Sequence, residues 1–81
     1  MTAPLKVDFP DRQGKDPLYA HGRNGYFEAT AISIMPVHDY IVVENWTSKG
    51  AIGRGRVMLP ADRNTIRDVA NYLHRVADKL P

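Results

Sequence analysis

The sequence predicts an α+β fold: an antiparallel sheet of three to four strands followed by one C-terminal helix packed on one face. Three observations predict it. Runs rich in β-branched and aromatic residues follow one another through the middle of the chain. The links between them are short, which favours antiparallel neighbours. Apolar residues then recur at helical spacing from Ile66 to Leu80.

In chain order, Leu5, Val7 and Phe9 alternate and predict an edge strand ended by Pro10. Residues 11–25 are polar and punctuated by Gly14, Pro17, Gly22 and Gly25, and they read as a loop or mobile arm. This arm carries Arg12, Lys15, His21 and Arg23. Strands are expected over Tyr26–Met35, Tyr40–Thr47 and Gly55–Leu59, with Pro36 and Pro60 as stops. Val37, His38 and Asp39 make a tight link between the first two. The final stripe is Ile66, Val69, Ala70, Leu73, Val76, Ala77 and Leu80. Asp62 or Asn64 can cap the helix start, and Arg75 and Lys79 suit its negative end.

With 81 residues there is room for a single domain, 1–81, with a thin core. No cysteine is present to staple it, so a partner subunit is expected to add stability, most simply as a homodimer. Nothing at the N-terminus reads as a signal peptide and no apolar run has membrane-spanning length, so the cytoplasm is the expected compartment and no membrane partner is expected. The formal charge of +2 and a pI of about 9.2 permit contact with phosphates without demanding it.

Period-two alternation sorts the strand residues into faces. Ile41, Val43, Val57 and Leu59 make an aliphatic face, expected under the helix. Tyr40, Trp46, Arg54 and Arg56 fall on the other face, with Lys49 at its rim and Arg23 on the arm. Aromatic rings beside arginines suit single-stranded nucleic acid, because bases stack on rings while cations neutralise phosphates. The same rings also suit a second small core or a dimer seam.

Catalytic chemistry is not indicated. His21, His38 and His74 are scattered and no cysteine accompanies them, so neither a metal site nor a cofactor is expected. Ser33 and Ser48 lack a nucleophile-elbow context. Gly53-Arg54-Gly55-Arg56 lacks the lysine and hydroxyl of a phosphate-binding loop and precedes a strand rather than a helix.

The segment Val43-Glu44-Asn45-Trp46, a short polar loop, Ile52-Gly53-Arg54-Gly55-Arg56-Val57-Met58-Leu59-Pro60 and a following helix resembles the positive-cofactor-four family of single-stranded-DNA-binding transcriptional coactivators, with its shorter bacterial and phage members. The resemblance implies a dimer of curved antiparallel sheets with a groove for single strands. In it Trp46 matches the stacking tryptophan and Arg54 the basic residue before the aliphatic strand. The expected function is therefore a small single-stranded nucleic-acid-binding protein in transcription or replication. The alternative is a phage or mobile-element protein that binds and inhibits a host enzyme or defence complex. The same face serves either, since Trp, Tyr and Arg dominate protein hot spots.

Overall fold

The alternating runs form strands and the C-terminal stripe forms a helix. The computed structural model of the chain describes residues 3–22, 25–51 and 56–81. The elements are β1 (Leu5–Asp8), β2 (Tyr19–Gly22), β3 (Gly25–Glu28), β4 (Ala31–Val37), β5 (Tyr40–Thr47), β6 (Gly50–Ala51), β7 (Val57–Pro60) and α1 (Arg63–Lys79). The fold is the predicted one, an antiparallel sheet with a C-terminal helix packed against it.

β4 and β5 form the centre, paired from Val37↔Tyr40 to Ala31↔Trp46. His38 and Asp39 alone connect them, with His38 at φ +50°, a left-handed conformation that histidine adopts more readily than most residues. β6 and β7 pair with successive stretches of β5's other edge. Helix α1 starts where a cap is available: the Asp62 carboxylate accepts from the Thr65 backbone N–H at 2.9 Å and from Thr65 Oγ1 at 2.8 Å.

Four expectations change. Tyr26–Met35 is not one strand. The chain leaves β3 at Glu28, and the Ala29 and Thr30 amides then donate to Leu18 and Trp46 carbonyls respectively, which steers it into a different sheet. The presumed arm is irregular only as far as Leu18, because Tyr19–Gly22 pairs with β3 to make a separate two-stranded hairpin. The expected succession of antiparallel neighbours is interrupted by that hairpin, since β1 pairs across it with β4, at Leu5↔Ile34 through Asp8↔Ala31. Pro36 lies inside β4 rather than ending it, one residue before the turn.

The register bears out the sorting of faces for the described strand residues. Ile41 sits opposite Leu59 and Val43 opposite Val57, while Val42 sits opposite Met58. The expected core does not close on the aliphatic side, however. Val57 is 53% exposed, whereas Val42, on the opposite face between its register partners Met35 and Met58, is 5% exposed. Among the described residues the buried apolar side chains are Ala29, Ala31 and Val42. The accessible surface is 6884 Å² for 9.1 kDa, where a folded monomer of this mass exposes about 4,900 Å². The radius of gyration, 14.0 Å, likewise exceeds the roughly 12 Å of a compact chain this long.

Candidate functional site

Trp46, at the end of β5, is the best-organised aromatic residue. Its indole Nε1 donates to Ser33 Oγ on β4 at 2.8 Å. The Lys6 ammonium, on β1, lies 4.7 Å from the ring centroid. Lys6 also pairs with Asp8 at 3.3 Å. Sheet register produces this grouping. Lys6 is the partner of Ser33, and Ser33 is the partner of Glu44, so the three form one row across β1, β4 and β5 on a single face. Trp46 is two residues from Glu44 and shares that face. Together with Pro4, Leu5 and Met35, these residues line a concavity of about 320 Å³. Among the described residues, the Glu44 carboxylate makes neither a side-chain hydrogen bond nor an ion pair, and the residue is half-buried.

The irregular segment after β1 reaches the same end of the sheet. Phe9 N–H donates to the Thr30 carbonyl, and Thr30 N–H donates to the Trp46 carbonyl. Arg12 Nε donates to the Asp16 carbonyl at 3.1 Å, which holds the loop closed on itself. Beside it lies a second concavity of about 300 Å³ lined by Phe9, Arg12, Lys15, Leu18, Glu28 and Thr30 among others.

The sequence-predicted residues are only partly brought together. Tyr40 shares the Trp46 face but lies six residues away along β5, about 20 Å. Val42 and Glu44 stand between them. Lys49 is exposed in the two-residue turn from β5 to β6, three residues beyond Trp46, where its backbone N–H donates to Thr47 Oγ1. Arg56 is exposed just before β7. Arg23 and Arg54 lie outside the described residues. Strand alternation already put Glu44 on the face of Trp46, but sequence reasoning missed Lys6, Ser33 and Met35 as its neighbours. Alternation already put Lys6 opposite Leu5 and Val7, but nothing local announced that β1 would lie beside β4.

A further aromatic group stands on the hairpin. Tyr19 and Glu28 are register partners, as are His21 and Tyr26, so these four share a face. His21 and Tyr26 meet edge to face at 5.5 Å between centroids, and Tyr26 is 76% exposed. Among the described residues, no cluster of three or more metal-ligating side chains occurs and no helix is long and apolar enough to cross a membrane. Neither a family model, nor a curated protein, nor a solved structure matches the chain.

Proposed function

We infer that this chain is a single-stranded nucleic-acid-binding protein that uses the Trp46 end of its sheet, and that it acts in the cytoplasm on transcription or replication intermediates. One observation carries the reading: an indole pinned at its edge by Ser33, with the Lys6 cation against its ring, in an open concavity. A pinned ring is a ready stacking platform, because little side-chain entropy remains to be lost on binding. Among the described residues, Lys6, Lys49, Arg12 and Lys15 are cations available to phosphates at this end. The exchange on the ring face is favourable: an exposed cation–π contact is worth about 0.5–1 kcal/mol, and a stacked base about 1–3 kcal/mol. The freed ammonium then turns to a phosphate. This reading keeps the stacking role that the positive-cofactor-four resemblance implies for Trp46 and adds Lys6.

The functional unit in this reading is a homodimer. The roughly 2,000 Å² by which the chain exceeds the surface of a folded monomer is more than the roughly 800 Å² that each partner contributes to a standard interface. The excess has an apolar location. Leu5, Val7, Ile34 and Val57 are exposed on the aliphatic sheet face, as are Val69, Tyr72 and Leu73 on α1 and Leu80 at its C-cap. A second copy is the partner that covers both without any further component.

Titration with a single-stranded oligonucleotide across salt concentrations tests the reading. Binding should weaken with salt. Trp46→Ala should lose affinity with the slope unchanged, and Lys6→Ala should lower the log–log slope by about 0.7. No binding by the parent at any salt ends it. A second reading, capture of a host protein, is favoured by Met35 and Met58, exposed at either side of Val42 on the same face, since methionines adapt to protein partners.

A further inference from the structure

We propose that the concavity beside Trp46 takes one unpaired base and selects a base bearing an exocyclic amino group, cytosine over thymine, with Glu44 as the residue that reads it. The proposal rests on the nucleic-acid reading above and adds a preference to it.

The row Lys6–Ser33–Glu44 offers three different groups in sequence across the sheet: a cation, a hydroxyl and a carboxylate. Neighbouring members of the row stand about 5 Å apart. The Trp46 indole leans over the middle of the row, because its Nε1 bonds to Ser33 Oγ. A base stacked on the exposed side of that ring therefore has its edge above Ser33 and Glu44. Its phosphate falls toward Lys6, which gives up its place on the indole to reach it.

Ser33 Oγ already accepts the indole N–H, so its own O–H remains to donate. An ionised Glu44 can only accept. The site thus presents one donor and one acceptor, side by side. Cytosine answers both, with its O2 accepting from Ser33 and its 4-amino group donating to Glu44, the carboxylate–cytosine contact known in base readout. Thymine has the same ring size but carries an oxygen where cytosine has the amino group. In the same pose that oxygen faces the carboxylate with two acceptors opposed, and thymine's one edge donor, N3–H, directly adjoins its carbonyl oxygens, too close to them to match a donor and an acceptor that stand about 5 Å apart. Glu44 has no competing partner among the described residues, and its half-buried position raises the cost of leaving it without a donor.

The experiment compares oligodeoxycytidylate with oligothymidylate of equal length, by fluorescence anisotropy at one salt concentration, for the parent, Glu44→Gln and Glu44→Ala. Circular dichroism checks that each variant is folded. The parent should bind the cytidylate about tenfold more tightly, the ratio that about 1.4 kcal/mol produces. Loss of the Glu44 negative charge should raise the affinity of both variants for the thymidylate. The cytosine-to-thymine ratio should fall to within about twofold for Glu44→Ala, with Glu44→Gln between, since its amide can present either a donor or an acceptor. A parent that binds both oligonucleotides equally overturns the base preference and leaves the nucleic-acid reading standing. A preference that survives in Glu44→Ala overturns the role of Glu44. A parent that binds neither overturns both readings together.

Discussion

Trp46 and Ser33 are joined by a 2.8 Å hydrogen bond although they are not register partners: Trp46 sits opposite Ala31, and Ser33 opposite Glu44. The indole leans diagonally across the β4–β5 ladder to reach the hydroxyl. Ala31, with a side chain too small to obstruct the ring, is 1% exposed at the position directly opposite. Orientation of the proposed platform thus depends on one side-chain hydrogen bond.

Ser33→Ala should leave the half-buried indole N–H without its partner. The expected loss is about 1 kcal/mol of stability, read as a lower denaturant midpoint with an unchanged slope. Tryptophan emission should shift to longer wavelength as the ring loosens. Ser33→Thr, which keeps the hydroxyl and suits a strand, should stay close to the parent in both measurements. An unshifted spectrum in Ser33→Ala would mean that packing, rather than this bond, orients the ring.

Leu73→Asp separates a dimer from a monomer. In a lone chain Leu73 is 60% exposed on α1, and a charge there should change stability by no more than about 0.5 kcal/mol. In a homodimer that buries the stripe, the same charge has to be desolvated without a partner. Sedimentation equilibrium should give twice the 9.1 kDa chain mass for the parent and a dissociated, less stable Leu73→Asp. A parent that stays monomeric at every concentration excludes the dimer.

The Asp62 cap predicts an acid-sensitive helix start. The Thr65 backbone N–H, and secondarily the Thr65 hydroxyl, hold the Asp62 carboxyl below its usual range. A carboxyl with a depressed folded-state pKa contributes stability that is fully present above its unfolded value, about 3.9, and is lost as pH falls through the folded value. Helicity followed by circular dichroism should therefore decline in the acid range below that point. Asp62→Asn keeps a capping acceptor and should remove this component of the pH dependence. Asp62→Ala should lower the melting temperature at neutral pH.

Gly22→Ala should disturb the β2–β3 hairpin. A Cβ built at Gly22 would lie 2.7 Å from Phe27 Cδ1. The ring cannot stay where it is, and overpacking of this kind costs about 1–3 kcal/mol. Limited proteolysis should cut the hairpin faster in the variant, because a two-stranded sheet has little stability to spare. Equal cleavage of variant and parent would show that the Phe27 ring yields without consequence.

Elements with a local signal were legible from the residues alone. Helix α1 was legible from Ile66 to Leu80 because a 3.6-residue period and a capping aspartate lie within one short window. The separation of Ile41, Val43, Val57 and Leu59 from Tyr40 and Trp46 was legible too, because strand alternation sets faces before any partner is known. Which faces meet was set by long-range pairing. Placing β1 against β4, across an intervening hairpin, brought Lys6 over Trp46 and gave Ser33 and Glu44 a common row. The same register left Tyr40 about 20 Å from Trp46 along the strand. Pairing of that kind depends on closing a loop between distant segments, and the free energy of closure and burial is carried by no short stretch of residues. The break at Ala29–Thr30 has the same origin: the local run is continuous and strand-like, and only hydrogen bonds to Leu18 and Trp46 send its two halves into different sheets.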